Sequence, residues 1–316
     1  MTRNHCRERW LAWLGLALLS AVYLPARAAS GGESTSHVGI CANAERGDRV
    51  VVETELAGVP AILRIPAKVS KPPIVLWHGF GPPASEQALM QAFPLDDVPA
   101  VKVYLGLPMF GKRAPAGGTD ELVRKQREDV GLLVFKPVVV GAADELPRVV
   151  AALEQQHCLL AGDRIGLLGF SAGGATVLLS LAQRAVPVSA AVLLNPSTGL
   201  TASVQAFEHA TGLVYAWTPE SRALAKRTDA IEHVADIAAG NPPPAILLVH
   251  GDKDDVISQT SVDSLKEALE SRYALVDQNK RFRDDALDDL THNLAGAGTG
   301  DKLYQDVAAW FNDYLR

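Results

Sequence analysis

The chain has 316 residues, 48% of them hydrophobic, and a formal net charge of −6 at pH 7. That length and apolar content support one large domain with a full core, and an open α/β sheet of this size need not divide in two. The net acidity argues against nucleic acid as a partner and disfavours other anionic polymers.

Residues 1–28 read as a secretory signal peptide. Arg3, Arg7 and Arg9 precede the charge-free run WLAWLGLALLSAVYLPA, and the small-residue pattern Ala26-Arg27-Ala28 follows it, with cleavage expected after Ala28. The run from Trp10 to Leu24 is shorter than the roughly 20 residues of a spanning helix, and an uncleaved anchor is the alternative. No lipobox-like cysteine follows it and no second long apolar run appears, so the mature chain is expected to be secreted or periplasmic, with no stable membrane insertion. Its removal takes four arginines against Glu8 and leaves the remainder more acidic. Cys6 departs with it, leaving Cys41 and Cys158, a pair that an oxidising compartment permits to form one disulfide.

Residues 29–47 are polar and rich in Gly and Ser and read as a flexible leader to a domain spanning 48–316. DRVVVETEL and VPAILRIPA, separated by Ala57-Gly58, predict an antiparallel hairpin. From Ile74 onward short, continuously apolar strands alternate with helical stretches, the pattern of a parallel sheet buried on both faces. Strands are expected at PPIVLWHG, PAVKVYLGL, RIGLLGF, SAAVLLNP, PAILLVHGD and RYALVDQ. The stretch from Glu121 to Gln156 predicts two helical pieces broken near Pro137. A terminal helix is predicted to put Leu303, Val307, Trp310, Phe311 and Tyr314 on one face. Residues 197–242 exceed a simple crossover and read as a cap insertion, with Val204, Phe207, Val214 and Trp217 near helical spacing; they either pack on the sheet or line an acyl pocket.

The chemistry centres on Gly169-Phe170-Ser171-Ala172-Gly173, between the RIGLLGF strand and a helical run. A strand-to-helix turn tight enough to expose its middle side chain leaves no room for Cβ atoms at the flanking positions, so Gly169 and Gly173 suit a nucleophile elbow carrying Ser171. The following helix offers free N–H groups where an attacked carbonyl would gather charge, making the Ala172 N–H one oxyanion donor. The Phe80 N–H, in the loop after IVLWHG, is expected to be the second, with Gly79 and Gly81 giving the backbone room to turn.

A serine hydroxyl needs a base, and the base needs an acid to hold its tautomer. AILLVHGDKDDVIS offers Asp252, Asp254 and Asp255 past a strand end near Val249. Asp254 is preferred, and the other two are expected in turn solvation and capping. Among the histidines, only His292 follows both Ser171 and the aspartates and lies in a loop after the last strand, which selects it as base. His78 and His250 are read as structural, His209 and His233 fall on the cap, and His157 precedes Cys158. The acidic run Asp284, Asp285, Asp288 and Asp289 is read as a solvated face. Lys112 and Arg113 are either loop charges or ligands for a substrate carboxylate.

GFSAGG, HGFG and HGDKDDV, in the order Ser171, Asp254, His292, resemble the α/β-hydrolase superfamily in its dienelactone-hydrolase-like and prolyl-oligopeptidase-like branch. The resemblance covers most of residues 50–316 and is tight only at those motifs. It implies a mostly parallel eight-stranded sheet flanked by helices, no cofactor or metal, and hydrolysis through an acyl-enzyme. Two departures stand out. Dienelactone hydrolases carry cysteine where this chain has Ser171, and Ser258 replaces the usual proline after the aspartate element. The expected function is that of a serine carboxylic ester hydrolase acting on a small-molecule ester. A peptidase is the first alternative, less favoured because such relatives commonly carry a β-propeller for which 316 residues leave no room; a catalytically silent binding protein is the second. The sequence leaves acyl specificity and oligomeric state open.

Overall fold

The computed structural model describes residues 39–42, 47–296 and 299–316, so the signal-peptide reading of residues 1–28 lies outside the described residues. Eight strands form one sheet: β1 (Val50–Leu56), β2 (Val59–Ile65), β3 (Lys71–Trp77), β4 (Ala100–Leu105), β5 (Ile165–Phe170), β6 (Val188–Leu194), β7 (Ala245–Lys253) and β8 (Phe282–Thr291), in the order β1-β2-β4-β3-β5-β6-β7-β8. The β1–β2 and β2–β4 pairs are antiparallel and all others parallel.

The parallel strands β4, β5 and β6 are buried at every position, as expected of a sheet covered on both faces. One face packs Val75, Trp77, Val103, Leu167, Leu193 and Leu248 against the helices α3 (Gly141–Gln155), α4 (Ala172–Gln183) and α8 (Gln259–Leu275). The other sets Ile74, Leu76, Leu168, Phe170, Val192 and Leu247 against α1 (Glu86–Ala92) and the terminal helix α9 (Thr299–Tyr314), which contributes Leu303, Val307, Trp310 and Phe311. Between β6 and β7 come α5 (Leu200–Thr211) and α6 (Pro219–Thr228), then the short α7 (Val234–Ile237), whose Ile237 is buried in the same core as α4 and α8.

Three expectations are corrected. The RYALVDQ segment is no strand. Val262, Leu265, Leu269 and Tyr273 form one buried helical stripe that carries α8 through Leu275, and the Tyr273 hydroxyl anchors it by donating to the Pro244 carbonyl. The last strand is β8, which contains the acidic run read as a solvated face. It is the outer strand next to β7, where charge is tolerated and guards an edge, and its Asp284 pairs with Lys266 at 2.8 Å.

The stretch from Glu121 to Gln156 does divide into two helical pieces, but the interruption lies at Asp129 and not at Pro137. Asp129 closes α2 (Gly118–Asp129) with an extended backbone, φ −161° and ψ 93°, and its Oδ1 accepts the Leu132 N–H at 2.8 Å, capping a wider π-helical segment, Val130–Val140, that continues through Pro137 into α3. Proline lacks the N–H and clashes with the preceding turn of an ordinary helix; the wider winding absorbs both, and the Gly141 N–H reaches back five residues to the Lys136 carbonyl. In the cap, the spacing of Val204, Phe207, Val214 and Trp217 does not describe one helix. α5 stops at Thr211 against left-handed Gly212, leaving Val204 and Phe207 buried and Val214 91% exposed.

Cys41 and Cys158 form a disulfide that fastens residues 39–42 to the chain following α3. The Cys41 N–H donates to the Gln156 carbonyl at 3.1 Å beside it. Among the described residues no helix is long and apolar enough to cross a membrane.

Candidate active site

Ser171 sits at the junction of β5 and α4 with φ +54° and ψ −114°, a conformation that non-glycine residues rarely adopt. The two flanking glycines explain how the corner closes. A Cβ on Gly169 would lie 2.1 Å from the Gly173 carbonyl oxygen, and one on Gly173 would lie 2.3 Å from the Trp77 carbonyl oxygen. A side chain at Gly169 would collide with the first turn of α4, and one at Gly173 would force the turn away from the end of β3. The corner is also tied to β6, because the Ser171 N–H donates to the Leu194 carbonyl at 3.0 Å.

His292 follows β8 and Asp254 follows β7, and the structure brings both to Ser171. The Ser171 Oγ lies 3.0 Å from His292 Nε2, and His292 Nδ1 lies 2.9 Å from Asp254 Oδ2. A carboxylate only accepts, so the imidazole proton is on Nδ1 and Nε2 accepts from the serine hydroxyl. The other carboxylate oxygen, Oδ1, accepts the Val256 and Ile257 N–H groups, each at 2.9 Å, which fixes the plane of Asp254. All three side chains are buried. Of the alternative aspartates, Asp252 accepts the Asp289 N–H at 2.7 Å, and Asp255 is an exposed residue at the cavity wall.

The HGFG loop lies directly against the serine. A Cβ on Gly79 would come within 2.9 Å of Ser171 Cβ, so the missing side chain lets the loop pass. Phe80 stacks on Phe110 with ring centroids 5.5 Å apart, and Phe80 and Ala172 both border the cavity beside Ser171. Ala172 opens α4, where first-turn N–H groups have no partner within the helix.

His78 faces away from this chemistry. It is fully buried, its Nδ1 donates to the Gly79 carbonyl at 2.7 Å, and its Nε2 accepts from the Leu107 N–H at 3.4 Å. Burial pushes its pKa down to about 4, so it braces the loop as a neutral ring. Lys112 pairs with Glu53 at 2.8 Å, and Arg113 makes a two-pronged pair with Glu145; neither borders the cavity.

One residue of the site gave no sequence signal. Asn195, just past β6 and fully buried, donates from Nδ2 to the carbonyls of Thr291 and His292, both at 3.0 Å, and its Oδ1 accepts the Gly251 N–H at 2.9 Å. It thereby joins the loop that carries His292 to the strand that leads to Asp254. In the sequence it is an asparagine before a proline, a composition that reads as a turn.

The cavity at Ser171 has a volume of about 150 Å³. Phe80, Phe110, Val130, Phe207, Val256 and Ile257 give it apolar walls, Ala206 and Ala210 of α5 leave open space, and its lining carries no lysine or arginine. Among the described residues no group of three or more His, Cys, Asp or Glu could hold a metal ion. The arrangement can deprotonate a hydroxyl at Ser171, stabilise the resulting imidazolium, and place an attacked carbonyl near backbone N–H groups.

Solved structures share this architecture at low identity. A protein from Thermus thermophilus, TT1662, superposes with a TM-score of 0.65 at 18% identity, covering 85% of this chain and 98% of its own. A dienelactone hydrolase from Anabaena variabilis gives 0.53 at 18% identity, covering 85% and 99%. Dipeptidyl peptidase 4 from Porphyromonas gingivalis gives 0.54 at 18% identity, with 85% of this chain matching 35% of the peptidase. No curated protein sequence matches the chain. The family model described as the prolyl oligopeptidase family matches residues 141–316, which include Ser171, Asp254 and His292. With more than half of its length matched, and with an eight-stranded, mostly parallel sheet behind the site, the chain belongs to the prolyl oligopeptidase family of α/β hydrolases.

Proposed function

We propose that the protein is an exported serine hydrolase that cleaves carboxylic esters of small, neutral, apolar acids through an acyl-enzyme. The observation that carries this reading is the hydrogen-bond chain from Ser171 through His292 to Asp254 at the mouth of an apolar cavity. His292 Nε2 takes the Ser171 proton as Oγ attacks the ester carbonyl. The Phe80 and Ala172 N–H groups hold the oxyanion, and Asp254 stabilises the imidazolium. His292 then protonates the departing alcohol. Water, deprotonated in turn by His292, releases the acid and regenerates Ser171. Export is supported by the Cys41–Cys158 disulfide, since such bonds persist in oxidising compartments.

Peptide hydrolysis is the second reading, favoured by the family match. The ester reading is supported by cavity walls without a lysine or arginine to hold a peptide carboxylate, and by bulk that suits a short acyl group. A fluorophosphonate probe should label the folded protein and fail to label Ser171→Ala; no labelling of the parent would overturn the serine-hydrolase reading. Turnover of p-nitrophenyl esters of increasing acyl length should exceed that of peptide amides. Loss of Ser171 should lower it by roughly three orders of magnitude or more. Faster cleavage of amides would decide for the peptidase.

A further inference from the structure

His250 borders the hydrogen-bond chain at Ser171 without belonging to it. It stands on β7 opposite Ala286 of β8, is 3% exposed, and neither of its ring nitrogens has a hydrogen-bond partner. Burying an imidazole with both nitrogens unused is costly, and buried polar groups are rarely left without a partner. Its Nδ1 lies 3.9 Å from Asp254 Oδ2, the oxygen that accepts from His292. Asp254 Oδ1 is filled by two backbone N–H groups, whereas Oδ2 has one partner and room for a second.

The other charged groups around His250 are engaged elsewhere. Asp284 of β8 pairs with Lys266 and Asp263 of α8 accepts from Gln259 at 3.0 Å, which leaves Asp254 and the His292 ring. Burial pushes the His250 pKa below the ordinary imidazole value against the pull of Asp254, so the ring is neutral and has one N–H to place. A displacement of about 1 Å brings that N–H within hydrogen-bond range of Oδ2.

We propose that His250 is a positioning residue that closes its Nδ1–H onto Asp254 Oδ2, so that one carboxylate is shared between two imidazoles. This rests on the serine-hydrolase reading above. A second donor holds the carboxylate in the plane that His292 needs and draws off part of its negative charge. With that donor removed, Asp254 binds the His292 proton more firmly, and the base stays protonated to higher pH.

The test is the pH dependence of the second-order rate at which a fluorophosphonate inactivates the enzyme, for the parent, His250→Leu and His250→Asn. In His250→Leu the acid limb should move up by about half a unit to one unit, a three- to tenfold loss of rate below the limb with a smaller loss on the plateau. His250→Asn, whose amide N–H can take the place of Nδ1–H, should keep the parent's limb. A uniform loss in His250→Leu with an unmoved limb, or an equal displacement in His250→Asn, would overturn the proposal. Should the leucine variant fail to fold, imidazole nitrogen NMR of the parent decides instead: a proton on Nδ1 supports the proposal and a proton on Nε2 overturns it. If the parent is not inactivated at all, the serine-hydrolase reading fails, and the NMR result still judges His250 separately.

Discussion

Ser171 and His78 illustrate how single side chains at this corner hold costly states. A non-glycine residue in the conformation of Ser171 costs about 1–3 kcal/mol, which its surroundings must offset. They do so by ties from its backbone to Leu194, Ser197 and Ala175. The glycine spacing made that corner legible in the sequence, because the steric argument is local. Asn195 was illegible, because its partners at Gly251, Thr291 and His292 are remote in sequence and only the folded sheet collects them. His78 carries a pH prediction. Its folded pKa of about 4 lies below the ordinary 6.5, so between those values the unfolded chain binds more protons. Its contribution is therefore complete above pH 6.5 and is lost as pH falls toward 4. His78→Gln should flatten the fall of thermal stability across that window by about 3 kcal/mol, read from melting curves at stepped pH. Parallel curves for parent and variant would contradict it.

At the scale of elements, the site is assembled at the carboxyl ends of β5, β7 and β8, and β6 supplies the brace between them. His292 was expected in a loop after the last strand, and it does follow the last strand, although that strand is β8 rather than the RYALVDQ segment. The error is physical. β-Branched and aromatic content marks buried strands, and an outer strand with four aspartates lacks that mark, whereas its pairing with β7 is a property of the backbone. Asn195→Ala should release the loop carrying His292. We expect kcat to fall about 10- to 100-fold with KM nearly unchanged, since Asn195 does not border the cavity and small displacements of reacting groups are costly. Steady-state kinetics on a p-nitrophenyl ester would measure both constants. A rise in KM alone would place Asn195 in binding instead.

For the molecule as a whole, the alternation of apolar strands and helices made the α/β architecture readable, because parallel strands buried on both faces leave a continuous signature. The course of residues 197–242 was not readable, since helix ends there depend on Gly212 and on packing against the π-helical segment. The disulfide lies after α3, near the amino end of β5, and Ser171 lies past the carboxyl end of that strand. It closes a sequence separation of 117 residues. Its loss in Cys41→Ser/Cys158→Ser should reduce unfolding free energy by about 3–5 kcal/mol in urea titrations while kcat at 25 °C stays within twofold of the parent. A large loss of kcat would mean that the tether reaches the site.

The placement of α5 has a consequence for how such an enzyme can change. The hydrogen-bond chain from Ser171 through His292 to Asp254 hangs from the sheet and is cross-braced by Asn195, whereas Ser203, Ala206, Phe207 and Ala210 approach the cavity from a separate helix. Added side-chain bulk at Ala206 or Ala210 would therefore narrow the cavity from the α5 side alone. The hydrogen-bond chain, which draws on none of these α5 residues, would keep its geometry, so the shape of the cavity and the chemistry at Ser171 rest on separate parts of the chain.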